Sequence, residues 1–185
     1  MMEKAKLKEL LLDRVAGARP WVDIAPFAIY QDVEELSAFL AYVGDLDGYL
    51  EIGSASGAML DFMLNTLKVK AYGIDINPPA RAALKKRMFL GDSSSKEALA
   101  WARKRGPFDL IFIDGGHDYE QVKQDYELYA PLARKFIGFH DIVHDTWTGV
   151  RRFWEEALTT LPGGKQTFVN PSIIGLGIGL IVKEA

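Results

Sequence analysis

Cysteine is missing altogether from the 185 residues, which excludes a disulfide framework, a thiolate nucleophile and a zinc–thiolate centre. Positive charge is not in surplus. Lys and Arg number 22 against 25 Asp and Glu, a net charge of −3, which argues against DNA or RNA as the main partner. The local basic runs at 85–87 and 103–105 read as solvated helix faces. Long apolar runs are also lacking. The opening MMEKAKLKELLLDRV is charged throughout and has no signal core, and the longest apolar stretch, 173–182, is broken by glycine and too short to span a bilayer. The expectation is a soluble, cytoplasmic protein with neither membrane nor nucleic acid as partner. With 49% hydrophobic residues the chain can fill one core, so 1–185 reads as a single domain.

The stretch YLEIGSASGAML at 49–60 joins a buried strand, a loop of small residues and a helix start, the arrangement that cradles a nucleotide. Beyond it, short apolar runs alternate with amphipathic segments, as parallel βαβ units do. Strands are expected near 49–53, 70–75, 87–91, 108–113 and 135–140. Helix starts are expected at Asn77 before Pro78, at Ser94 with Glu97 as a capping box, and at Asp118 with Gln121. The runs at 166–169 and 176–182 lie too close for an intervening helix and should form a hairpin, making the last strand antiparallel. Helices at 4–15 and 32–44 precede the first strand, and residues 1–48 are expected to cover the mouth of the site.

Ligands of open α/β sheets sit outside the carboxyl ends of the strands. Here that edge carries Glu51 with Gly53–Gly57, then Asp75, Asp92, Asp114–His117, and His140 with Asp141. Asp75, ending YGID, is placed to accept the hydroxyls of a ribose, because Asn77 is expected to cap the following helix in its stead. Laid on the dinucleotide pattern GxGxxG, the loop GSASGA puts Ala55 where backbone should approach a pyrophosphate. That Cβ opposes a dinucleotide and is no obstacle to S-adenosylmethionine, which presents an amino-acid end and no phosphate.

ExGxxxG at 51–57, YGID at 72–75, GDS at 91–93 and FDLIFIDGGHDYEQVKQD at 108–125 resemble a class I S-adenosylmethionine-dependent methyltransferase. More narrowly, GSASGAML, IDGGHxYExV, the HD pair at 140–141 and GVRRFW at 149–154 resemble the cephalosporin hydroxylase-like branch, related to sugar and natural-product O-methyltransferases. The likeness spans roughly 29–182. It implies a doubly wound, Rossmann-like α/β sheet with helices on both faces and strand order 3-2-1-4-5-7-6. It also implies that Glu51, Gly53, Ser54 and Gly57 shape a methionine pocket, that Asp75 binds ribose, that Asp92 and Ser93 face adenine, and that Gln31 touches the cofactor. Asp114 is counted with the same cofactor-binding set and, together with His117 and His140, among the catalytic residues.

All three histidines fall between 117 and 144, among Asp114, Asp118, Asp141 and Asp145. Asp114 and Asp141 should end neighbouring strands, where two carboxylates share either a proton or a cation such as Mg²⁺. A divalent ion there would acidify an acceptor hydroxyl. Relatives of this kind often carry an acid where this chain has Gly116. Without a metal, His117 or His140 is the candidate general base, His117 because the dipole of the helix it opens keeps its ring neutral. Trp154 reads as core, and Trp147 and Arg151 as candidates for the acceptor wall. NPPA at 77–80, the Tyr119/Lys123 pair and GLGIG at 175–179 mimic nucleic-acid methyltransferase, short-chain dehydrogenase and phosphate-loop motifs, but each lies in the wrong context. The expected activity is O-methylation of a small hydroxylated acceptor. A non-catalytic cofactor-binding module and an NAD-dependent oxidoreductase are the rivals, and assembly into a homo-oligomer is left open.

Overall fold

A computed structural model of the chain describes residues 2–15, 27–146, 148–172 and 176–184. Seven strands form one sheet: β1 Gly48–Ile52, β2 Lys70–Asp75, β3 Met88–Leu90, β4 Phe108–Ile113, β5 Ala133–His140, β6 Gly164–Phe168 and β7 Ile178–Val182. Their order is β3-β2-β1-β4-β5-β7-β6. The first five run parallel, while β7 pairs antiparallel to both β5 and β6. This is the Rossmann-like order expected for methyltransferases, with its antiparallel edge.

The centre of the sheet is apolar on both sides, as parallel strands covered by helices must be. Every residue of β1 and β4 is buried. Alternation along the strands divides the core into two layers. Tyr49, Leu110 and Phe112 pack with α1 (Lys4–Leu11), α2 (Val33–Val43) and α3 (Ala58–Asp61). Leu50, Ile52, Ile111 and Ile113 pack with α4 (Lys96–Arg103), α5 (Tyr119–Tyr129) and α6 (Thr148–Thr160). Trp154 is buried in the second layer, as its helical spacing predicts. Among the described residues no helix is long and apolar enough to cross a membrane.

Two helix starts differ from expectation. After β2 there is no α-helix at Asn77. The chain turns and forms only a 3₁₀ segment, Ala82–Arg87, and the Asn77 amide donates back to Asp75 Oδ1 at 2.7 Å. A side chain that closes such a turn on its own backbone competes with helix propagation. The cap of α4 is Ser95 rather than Ser94, its hydroxyl accepting from the Ala98 amide at 3.1 Å. Asp118 does occupy the cap position of α5, but its side chain makes no capping bond.

The segment ahead of the sheet is held by buried charge. Asp32 caps α2, accepting from the amides of Glu34 and Glu35. Glu35, 2% exposed, reaches across to accept from the amides of Asn170 at 2.7 Å and Gly177 at 2.9 Å, tying α2 to the β6–β7 connection. Glu35→Ala strands both amides and is expected to cost about 2–3 kcal/mol, seen as a lower urea midpoint with an unchanged slope.

Candidate active site

The carboxyl ends of β1, β2, β4 and β5 open onto a pocket of about 880 Å³. Its first wall is the loop after β1. Gly53 adopts φ +88°, and a Cβ there would lie 2.1 Å from the Asp114 carbonyl oxygen, so only glycine permits β1 and β4 to close this tightly. Ala55 takes a positive φ of 43° without being glycine. The amides of this loop are largely satisfied within the protein. Gly53 donates to the Ile74 carbonyl at 2.8 Å, Ala55 to Asp75 Oδ2 at 2.7 Å and Gly57 to the Ser54 carbonyl at 2.7 Å.

Asp75 therefore braces two turns at once, with Ala55 on one oxygen and Asn77 on the other. The premise that Asn77 relieves it of local duty is overturned. Each carboxylate oxygen still has a second lone pair, and Asp75 lines the pocket. Asp92 is braced likewise, accepting from the Ser94 amide at 2.8 Å, which holds its carboxyl below the usual range, and Gly91, Asp92 and Ser93 form the facing rim.

Glu51 and Gln31 are 2% exposed and Ser54 5%. All three line the pocket, and Glu51 Oε2, Gln31 Nε2 and Ser54 Oγ lack a hydrogen bond of good geometry, although the Ser54 hydroxyl lies close enough to the Glu51 carboxyl to favour its charge. The other Glu51 oxygen accepts from the Tyr49 hydroxyl at 3.0 Å, and Gln31 Oε1 accepts from the Asp32 amide at 2.6 Å. Burial, reinforced by the charge of Asp114, pushes the Glu51 carboxyl up to about 8, with the Ser54 and Tyr49 hydroxyls opposing.

At the other end Asp114, His117, His140 and Asp141 come together. His140 Nδ1 lies 3.0 Å from Asp141 Oδ1 and 3.3 Å from Asp114 Oδ1, while His140 Nε2 donates to the Tyr30 carbonyl at 3.0 Å. His117 Nε2 is 3.1 Å from Asp141 Oδ2. Asp141 is swung inward by a left-handed backbone, φ 59°, a conformation that persists only where its surroundings enforce it. Burial pulls the His140 ring down, but the Asp114 and Asp141 carboxylates and the Tyr30 carbonyl outweigh it and carry the ring up to about 9. Burial likewise raises the Asp114 carboxyl, to about 6, whereas for Asp141 the neighbouring imidazoles overcome burial and hold it well below the usual range.

These surroundings correct the reading of His140 as a base. The ring is 4% exposed and both of its nitrogens face oxygen atoms of the protein, so neither is open to an acceptor. His117, with a third of its side chain exposed, faces the pocket, but it precedes the α5 cap by one residue and takes Asp141 as its partner. Arg151 lies away from the pocket, beside Glu155 on the exposed face of α6, and Trp147 falls outside the described residues. Of the two N-terminal helices, α2 lends Leu36 to the pocket wall, joined by residues 28–31, whereas α1 contributes none.

Four contributors escaped the sequence reading. Tyr49 supports Glu51 from two residues back on the same strand face, a relation that strand alternation could have revealed. Gln121 lies beside Gly116, where a Cβ would meet its amide oxygen at 1.7 Å, so a side chain at 116 would have to displace the flexible end of Gln121. Asp125, 1% exposed, sits between Val122 and Tyr129 on the buried face of α5, and a carboxylate at such a position was the available signal. Burial pushes it up to about 6 beside Ser93 and Asp92. Tyr30 acts through its backbone carbonyl, which no side-chain pattern reports.

Comparison with solved structures gives the same fold. A putative O-methyltransferase from Klebsiella pneumoniae shares 19% identity at a TM-score of 0.62, covering 98% of this chain and 90% of its own. TomG, an O-methyltransferase of tomaymycin synthesis from Streptomyces achromogenes crystallised with SAM, shares 15% at 0.61 over 100% of both chains. MycE, a methyltransferase of mycinamycin biosynthesis solved with Mg, SAH and mycinamycin VI, shares 19% at 0.53 over 78% of this chain, which spans only 46% of MycE. No curated protein matches in sequence. A methyltransferase-domain family model does match, over residues 50–146. That match takes in just over half of the chain, including the end of β1 with its glycine loop, the acid ending β2 and the Asp–His cluster of β4 and β5, and it places the protein in the methyltransferase-domain family.

Proposed function

We propose that the protein is an S-adenosylmethionine-dependent O-methyltransferase acting on a small hydroxylated acceptor, a sugar or natural-product moiety. One observation carries the cofactor. The pocket offers an unpartnered acceptor, Glu51 Oε2, beside two unpartnered donor groups, Gln31 Nε2 and Ser54 Oγ. That set fits the ammonium and carboxylate of an amino-acid end, since buried polar atoms need partners. The loop amides that would have to receive a pyrophosphate are instead engaged by Ile74, Asp75 and Ser54, which tells against a dinucleotide. Asp75 accepts the ribose hydroxyls on its remaining lone pairs, Gly91–Ser93 border the adenine, and Gly53 and Gly57 give the loop its close turn.

S-adenosylmethionine, when bound, supplies an electrophilic methyl. The protein supplies position, dryness and a base. Leu36, Ile74 and Phe112 give the pocket an apolar wall that keeps water out. His117, oriented by Asp141, takes the proton of the acceptor hydroxyl. Asp114 and Asp141 fit a divalent cation, because His140 Nδ1 and Asp141 Oδ1 meet there buried and unpartnered. Such an ion would lower the acceptor's own affinity for its proton. Residues 28–36 form the cover of the site, and the whole chain works as one methyltransferase domain.

Calorimetric titration with S-adenosylhomocysteine, with NAD⁺ as control, tests the reading. Micromolar binding of the first and none of the second is expected, and Asp75→Ala should weaken it by about tenfold to a hundredfold, the loss of one or two charge-assisted hydrogen bonds. An unchanged affinity in Asp75→Ala would remove the ribose assignment. Binding without turnover on any hydroxylated acceptor would favour a non-catalytic module.

A further inference from the structure

We infer that Asp114, His140 and Asp141 form a mixed nitrogen–oxygen metal site that selects a first-row transition divalent ion over Mg²⁺. This deepens the reading above and rests on it. A carbonyl oxygen can only accept, so the His140 Nε2 facing Tyr30 at 3.0 Å carries the hydrogen. In the neutral ring Nδ1 is then a bare lone pair. It points into a space shared with Asp141 Oδ1 at 3.0 Å and Asp114 Oδ1 at 3.3 Å, and these are acceptors too. Nδ1 and Asp141 Oδ1 are both buried and face no hydrogen-bond donor of the protein beyond each other.

Acceptors converging in a buried space need a positive charge among them: in the metal-free protein a proton on Nδ1 supplies it, and a divalent ion would take that proton's place. The three ligand atoms lie within 4.8 Å of one another. Two ligands held about 2.1 Å from one ion at right angles stand about 3 Å apart, which is the spacing found between His140 and the two acids. The supporting contacts are those of a ligand set. The far nitrogen of His140 is fixed by a backbone carbonyl, and the far oxygen of Asp141 by His117.

The nitrogen decides the kind of ion. Mg²⁺ prefers an all-oxygen shell and holds its waters tightly, whereas imidazole suits Fe²⁺, Ni²⁺, Cu²⁺ and Zn²⁺, and Mn²⁺, the weakest-binding ion of that first-row series, is the paramagnetic probe of whether the nitrogen ligates. An acid at position 140 would have made the same geometry a hard-ion site.

The test strips the full chain with chelator, then titrates Mn²⁺ by electron paramagnetic resonance, alone and against Mg²⁺. The expected result is Mn²⁺ binding about tenfold or more tighter than Mg²⁺, with ¹⁴N coupling from a directly bound imidazole. His140→Asp should keep Mg²⁺ binding, abolish the nitrogen coupling and shrink the preference for Mn²⁺. The competition in the wild-type protein stands even if that variant fails to fold. Equal or tighter Mg²⁺ binding, or bound Mn²⁺ without nitrogen coupling, overturns the inference. Parallel titration with S-adenosylhomocysteine separates the failures: homocysteine binding with no divalent ion overturns the metal site alone, while selective Mn²⁺ binding with no homocysteine binding overturns the methyltransferase reading and leaves the metal site standing.

Discussion

His117→Ala is expected to lower kcat by about 10²–10⁴, the usual contribution of a positioned general base, while the affinity for S-adenosylhomocysteine stays within about twofold of the wild type. The asymmetry follows from where the residue sits. His117 lines the pocket beside Asp141, whereas the amino-acid end is assigned to Glu51, Gln31 and Ser54. Release of S-adenosylhomocysteine against a panel of hydroxylated acceptors gives the rate, and calorimetry gives the affinity. Added imidazole should restore part of the rate in His117→Ala, because a small base can enter the space left behind. A structural role would not respond in that way. Asp141→Asn should lose rate as well, since it removes the charge that orients His117, but imidazole should not rescue it. If His117→Ala keeps its full rate, proton removal belongs to another group or to metal-bound acceptor alone.

The fold was legible because the core alternates so plainly. Tyr49, Leu50 and Ile52 divide between the two faces of β1, and the short 166–182 interval could not hold a helix, so parallel βαβ units and the antiparallel edge followed from spacing, while the doubly wound order was what the family resemblance implied. Capping signals were less reliable. Asn77–Pro78 has the residues of a helix start, yet Asp75 captures the Asn77 amide and the chain bends instead. In the site, residues at the carboxyl ends of strands were easy to place together, because strand ends are neighbours by construction. What the sequence could not reveal was which partner each would take. His140 looked like a base until its depth, 4% exposed, and the Tyr30 carbonyl were seen, and that carbonyl arrives from 110 residues earlier in the chain. Gly116 read as a missing acid, and the side chain that lies beside it belongs to Gln121, five residues on.

Glu51→Gln should separate stability from binding, raising one and lowering the other. In the free protein the Glu51 carboxyl is pushed up to about 8, chiefly by burial, against an ordinary value near 4.5. Between those limits the unfolded chain has lost its proton and the folded chain has kept it. Stability therefore falls as pH rises through that window, by up to roughly 1.4 kcal/mol per unit. Replacing the acid with a neutral isostere removes the penalty, so Glu51→Gln should melt higher than wild type at pH 8 and nearly equal to it at pH 5. Binding has the opposite sign. A cationic ammonium beside Oε2 favours the ionised carboxylate, so binding at pH 7 should release close to one proton. Calorimetry in buffers of different ionisation enthalpy measures this, and Glu51→Gln should abolish the release. Wild-type affinity should climb with pH up to about 8, where the free carboxylate is already ionised, and Glu51→Gln should lose that dependence together with about tenfold to a hundredfold in affinity. A variant that binds as tightly as the wild type at pH 8 would show that Glu51 serves only to hold Tyr49 and the first loop, and the ammonium would then have to find its partner elsewhere along the pocket wall.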